Sequence, residues 1–264
     1  MKIFIVTEHF YYENTQMYCD KKRIAIETSG RIGSVALGIG EKVVASAEFS
    51  GDQQHAEELL LVMRALCEKV DWRPEEVEAI YVSGGPGSFT GLRVGITVCK
   101  TFAFSTNAKI VRVPSMDVMV LNVKTAIENG ESVAPSIGVI MDAKRKQVYG
   151  AIYQLCDNSG LDNGLVSGFK EIAPAQVIAP SALLALSSGE LTILGEGLRW
   201  HSASFQNNHL VNCLPEKYWQ PYAVNVLKCG LLRERAGLYD DFVQLAPIYL
   251  RRPEAEEQWE KRQK

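Results

Sequence analysis

Long apolar runs are absent from this sequence. None approaches the roughly 18 consecutive apolar residues of a membrane-spanning helix, so no span is expected. The opening Met1-Lys2-Ile3-Phe4-Ile5-Val6 turns polar at Thr7-Glu8-His9, too short a core for a signal peptide. Histidine is scarce. The four, His9, His55, His201 and His209, include no H-x-x-x-H pair, so the shared helical face that holds zinc in a peptidase is missing. No Ser-His-Asp order and no Cys-His signature stands out, and an autonomous protease or transferase is not expected. The six cysteines form no C-x-x-C pair. They read as reduced thiols of a cytoplasmic protein rather than a disulfide framework. An excess of one charge is lacking too. A net charge of −3 is too near neutral for strong electrostatic binding of nucleic acid by this chain alone. Contact with RNA is therefore expected to run through a partner's basic surface.

What is present is ordinary globular composition, 47% hydrophobic and 22% charged over 264 residues, enough for one large domain or two small ones. The chain is organised around Ser83-Gly84-Gly85-Pro86-Gly87-Ser88-Phe89-Thr90-Gly91-Leu92-Arg93-Val94-Gly95. The apolar run Ala79-Ile80-Tyr81-Val82 precedes it and a helical pattern over 92–104 follows. A strand, a glycine turn and a helix start can gather backbone N–H groups around an anion. Ser88 or Thr90 is placed to cap the helix, and Pro86 stiffens the turn. The phosphate-binding consensus loops do not fit. No Lys follows Gly91, against a P-loop; Thr90 stands where a dinucleotide fingerprint needs its third glycine; Pro86 replaces the first glycine of a nucleophile elbow. Two readings remain, a phosphate loop built on Gly84, Gly85, Gly87, Ser88, Thr90, Gly91 and Arg93, or a tight turn.

Upstream, 23–30, 33–40 and 42–49 read as three strands, the first ending at Glu27-Thr28-Ser29-Gly30. Residues 54–70 form a helix with the stripe Ala56, Leu59, Leu60, Met63, Leu66, Cys67 and Val70, while Leu61, Val62 and Ala65 lie off it. The helix after the glycine loop carries Leu92, Ile96, Cys99 and Ala103 as its stripe, with Val94, Val98 and Phe102 in excess. Gly91 and Gly95, four apart, keep one ridge low. Helices with apolar residues on two faces are covered twice, within one subunit or against another chain. Downstream, 109–114 is a strand and 115–128 a helix capped by Ser115 and ended by Gly130. Residues 134–141 and 147–155 make a hairpin across the charged turn Asp142-Ala143-Lys144-Arg145-Lys146, which reads as an RNA contact or a solvated turn. A loop over 157–167, a helix over 181–186, the strand Leu191-Thr192-Ile193-Leu194 and a helix over 223–236 complete the chain. The order of elements is α/β.

The string 84–95 resembles the signature of the bacterial TsaB (YeaZ) family. Three further anchors agree: the Asp142 hairpin, the Gly195-Glu196-Gly197 turn and the closing Pro247-Ile248-Tyr249-Leu250-Arg251. The resemblance covers roughly 22–255. It implies a two-lobed actin-like ATPase (ribonuclease H-like) fold with a reduced second domain. Residues 1–21 would be an N-terminal extension: an extra strand, a lead without order, or the product of an upstream start codon. Residues 22–130 would be the first domain, 131–251 the smaller second one with its last helix packing back on the first, and 252–264 a charged tail. The family usually carries Asp where Glu27 stands; the longer Glu would aim its carboxylate differently, or simply face solvent.

The resemblance also implies a role. Such subunits are not themselves catalysts. They support a TsaD-type catalytic subunit, with a TsaE-type ATPase joining through the complex, in forming threonylcarbamoyladenosine on tRNA, which the chain would touch only indirectly. The interface would use Leu61, Val62, Ala65, Gly91, Val94, Gly95 and Val98. No cofactor would be held tightly, with ATP or ADP possible at the interface. Two other functions fit the residues: an actin-like phosphotransferase using Glu27 and the glycine loop, and a scaffold that homodimerises when alone.

Overall fold

The computed structural model describes residues 2–4, 20–49, 55–156, 166, 168–187, 189–205 and 208–251. The tail, most of the 157–167 loop and most of the N-terminal extension lie outside these. Residues Lys2–Phe4 form β1. Then come β2 (Lys22–Glu27), β3 (Gly33–Ile39), β4 (Lys42–Phe49), α1 (His55–Lys69), β5 (Val77–Gly85), α2 (Phe89–Thr106), β6 (Lys109–Pro114), α3 (Ser115–Val120) and α4 (Asn122–Glu128). The second lobe holds β7 (Ser136–Asp142), β8 (Val148–Leu155), β9 (Phe169–Ile178), α5 (Pro180–Leu184), β10 (Leu191–Leu194), α6 (Leu198–His201) and β11 (Val211–Cys213), and α7 (Ala223–Arg235) follows.

The first sheet runs β1-β4-β3-β2-β5-β6 and the second β11-β10-β7-β8-β9. Without β1 the two are the same design. A three-stranded antiparallel meander (β2-β3-β4, β7-β8-β9) is joined on the far side of its first strand by two parallel strands (β5-β6, β10-β11). This repeat is the two-lobed actin-like, ribonuclease H-like fold.

Helices cover both faces of the first sheet, so its central strands read as nearly unbroken apolar runs. Ile24, Ile26, Val35, Leu37, Ile80 and Val82 point to the face that carries α1 and α2. Ala25, Ala36, Ala79 and Tyr81 point to the face that carries α7. Small side chains there let α7 lie close. An ionic cluster also fixes it: Arg23 Nε donates to Glu234 Oε2 at 2.6 Å, and the Tyr81 hydroxyl donates to the same oxygen. The core around α3, α4 and α7 includes residues of both sheets, so it runs without a break between the lobes.

Several elements differ from the expectations. The 115–128 helix is broken at Leu121 into α3 and α4. Ser115 does not cap it; its hydroxyl turns back to accept from the Gly85 N–H at 3.1 Å. β9 and β11 had no clear periodic signal. β9 is an edge strand carrying Pro174, with one fully covered residue at its start. The buried stripe of α1 is Leu59, Val62, Met63, Leu66 and Cys67, with Leu60 turned outward.

Candidate functional site

The glycine loop joins β5 to α2 through a cis Gly85–Pro86 bond. Ser88 caps α2, its hydroxyl accepting from the Gly91 N–H at 3.2 Å. The anion-cradle reading requires free N–H groups, and four of the loop's are engaged by the protein. Gly85 donates to Ser115 Oγ, Ser88 to Ser29 O at 2.8 Å, Gly91 to Ser88 Oγ and Leu92 to Ser88 O. The space that the glycines leave open is filled as well. A Cβ at Gly87 would stand 2.5 Å from Ser29 O, one at Gly91 2.0 Å from Thr28 O, and one at Gly95 2.3 Å from Thr28 Oγ1. The loop is a packing joint that seats α2 on the β2–β3 turn. Gly84 and Gly85 are buried, and Ser88, Thr90 and Arg93 are exposed at the rim.

That joint corrects part of the expected interface. Gly91 and Gly95 are buried against the chain's own first hairpin, and Val62 is 3% exposed in the core beneath α1. Five consecutive apolar residues, Leu59 to Met63, allow more than one stripe; packing on β3 and β4 selects the one containing Val62. Of the expected set, Leu61 projects fully, 63% exposed, and Ala65, Val94 and Val98 are half-buried. Leu60 joins them at 55%.

Glu27 does not face solvent; it is 0% exposed. Its Oε1 accepts from the Ser29 N–H at 2.5 Å and the Ser29 hydroxyl at 2.6 Å. Burial raises its pKa above the usual carboxylate range, against the lowering effect of these bonds. A carboxyl group enclosed in this way, with no access to solvent, is poorly placed to hold a metal or activate water.

In the second lobe, the β7–β8 turn holds Asp142, whose carboxylate meets Lys144 Nζ at 2.7 Å and lies 3.5 Å from His201 Nε2. Glu196, in the Gly195-Glu196-Gly197 turn, is pushed up by burial and by Asp142. The segment 238–251, which sequence patterns did not mark as a tie between lobes, bonds to both of them. Ile248 N–H donates to Gly84 O at 2.7 Å in the first lobe. Arg251 donates to Ala143 O and Gln147 Oε1 in the second. Tyr249 stacks on Phe89 with ring centroids 5.2 Å apart.

The family model of TsaD, tRNA N6-adenosine threonylcarbamoyltransferase, matches residues 42–259. The tRNA threonylcarbamoyladenosine biosynthesis protein TsaB of Bacillus subtilis is 29% identical, over 91% of this chain and 99% of its own length. TsaB of Haemophilus influenzae is 24% identical, over 86% and 92% respectively. The solved structure of YeaZ from Pseudomonas aeruginosa shares the fold with a TM-score of 0.72 at 22% identity, covering 87% of this chain and all of that one. With a glycine joint, a twice-used strand order and a family model spanning most of its length, the chain belongs to the TsaD family, in its TsaB (YeaZ) branch.

Proposed function

We propose that this chain is a non-catalytic subunit in the formation of threonylcarbamoyladenosine on tRNA. It dimerises with a TsaD-type threonylcarbamoyltransferase in the cytoplasm and holds it in a competent state, and a TsaE-type ATPase joins through the complex. The observation that carries this reading is the outward face of α1. Leu60 and Leu61 are more than half exposed there, beside half-buried Ala65, Val94 and Val98 on the α1–α2 pair. Neighbouring exposed leucines on a helix already packed on its other side favour helix-on-helix docking. The engaged N–H groups of the glycine loop and the enclosed Glu27 weigh against a phosphotransferase.

Co-purification with the host's TsaD-type protein, followed by size-exclusion chromatography with light scattering, tests the proposal. A one-to-one complex is expected, and Leu61→Glu should abolish it while leaving the melting temperature unchanged. A folded chain that forms no such complex, or forms only its own dimer, would refute the partner-subunit reading.

A further inference from the structure

Cations and open aromatic rings follow one another along the tie that 238–251 makes between the lobes. The series begins at α2, where the Arg93 guanidinium sits 5.2 Å from the centre of the Phe89 ring. Phe89 stacks on Tyr249 at an interplanar angle of 29°. Both rings stay open to solvent, at 44% and 42% exposure. Two residues on, Arg251 clasps the β7–β8 turn at Ala143 O and Gln147 Oε1. Between those anchors stand Lys144, Arg145 and Lys146, all exposed and all left-handed, with φ of 62°, 52° and 61°. Non-glycine residues rarely take that conformation once, and here three take it in succession. The turn is pinned by Asp142, which accepts from the Lys144 N–H at 3.0 Å, and by the Gln147 N–H bond to Lys144 O at 3.0 Å. The result is a hydrogen-bonded turn that presents three exposed cations and is tied through Arg251 to the segment carrying Tyr249. Among the described residues, Asp142 pairs with Lys144 and Glu196 lies near both, its pKa raised by burial and by Asp142.

We infer that the strip Arg93–Phe89–Tyr249–Arg251 with the turn Lys144–Lys146 is a direct contact for single-stranded RNA, the cations taking phosphates and the exposed rings an unstacked base. The inference rests on the tRNA-modification reading above and adds to it a surface on this subunit. An acidic protein segment would satisfy the cations but would leave the paired open rings without purpose. Single-stranded nucleic acid needs both, because every base offers a face for stacking and every linkage a charge. The overall charge of −3 hides this local polarity.

The test uses the full chain, alone and in complex with its TsaD-type partner. Binding is followed by fluorescence anisotropy over a range of salt concentrations. The probes are an unmodified tRNA transcript that reads an A-starting codon and a single-stranded oligonucleotide of the same anticodon loop. Asparagine tolerates left-handed φ, so Lys144→Asn, Arg145→Asn and Lys146→Asn together should remove charge without reshaping the turn. The triple variant is expected to weaken binding at least tenfold at low salt. It should also flatten the slope of log K against log salt by about two, at roughly 0.7 per lost phosphate contact. Tyr249→Ala should weaken binding by about fivefold to a hundredfold with the slope unchanged, since stacking releases no counterions. Wild-type binding that neither change affects would overturn the inference, as would absence of RNA binding in both forms or equal competition by polyglutamate. Failure of the complex to form would refute the proposed function instead, and light scattering on the same samples separates the two.

Discussion

Replacing Gly91 by alanine separates two accounts of the glycine loop. If Gly91 served a helix from another chain, the added methyl would weaken that partner and spare the fold. In the structure the methyl meets Thr28 O at 2.0 Å, a backbone atom that cannot rotate away. Relief requires α2 to back off by more than an ångström, which breaks the Ser88 N–H bond to Ser29 O, now 2.8 Å. Overpacking of this kind costs about 1–3 kcal/mol and the lost hydrogen bond about 1 kcal/mol. Alanine's better helix propensity offsets about 1 kcal/mol. The net loss is about 1–3 kcal/mol, or a fall in melting temperature of roughly 3–10 °C for a chain of this size. Gly95→Ala is the control. It meets the Thr28 hydroxyl oxygen at 2.3 Å, a side-chain atom with no hydrogen-bond partner, which can turn aside. It should melt within a few degrees of the wild type. Calorimetry on both variants decides the matter. A Gly91→Ala protein that melts with the wild type but loses its partner would refute the packing account, and so would equal losses at both positions.

Substitutions in two buried polar clusters give further tests. Glu234→Ala would take the carboxylate from the Arg23 guanidinium, buried at 0% exposure and left with the Lys21 carbonyl, and should cost about 3–5 kcal/mol in denaturant unfolding, whereas Arg23→Met combined with Glu234→Leu should recover most of it. Asp117, which accepts from the Tyr153 hydroxyl at 2.7 Å, is raised by burial to about 6. Its folded value exceeds the unfolded value near 3.9, so its contribution to stability falls as pH rises from about 4 to about 6 and is flat above. Asp117→Asn should remove that slope from the pH dependence of melting. Tyr153→Phe, which deletes a bond that lowers the pKa, should extend the slope to higher pH; an unchanged profile in both would contradict the assignment.

Local patterns revealed much of the first lobe. Leu92, Ile96, Cys99 and Ala103 recur at helical spacing and are buried, and Ser88 caps the helix they belong to. The three leading strands show in their apolar runs because both faces are covered. What sequence could not show was direction. Val62 looked outward because a run of five apolar residues fits several stripes, and only the sheet beneath selects one. Glu27 carried no local sign of burial, since a strand-end acid looks alike inside or out until the Ser29 donors are in place. The ties of 238–251 to Gly84 and to the β7–β8 turn are long-range in sequence, and no periodicity encodes them. The basic turn was visible as charge, but its left-handed backbone and its neighbouring rings were not.

The repeated strand order means that the chain solves one mechanical problem twice. In each lobe the first strand ends where the loop leaving the fourth must cross it, and the crossing leaves room for almost nothing. In the first lobe Ser88 N–H bonds Ser29 O, with Gly87 and Gly91 pressed on that turn. In the second, Gly197 N–H bonds Ile140 O at 3.2 Å, and a Cβ on Gly195 would lie 2.1 Å from the same oxygen. Topologically equivalent corners thus share the same fastening although the surfaces around them differ, one a helix seat and the other the wall beside a cationic turn. Drift at either corner is constrained by its counterpart's geometry only in kind, so each lobe can lose its crossing independently and the molecule has two separate points of failure rather than one.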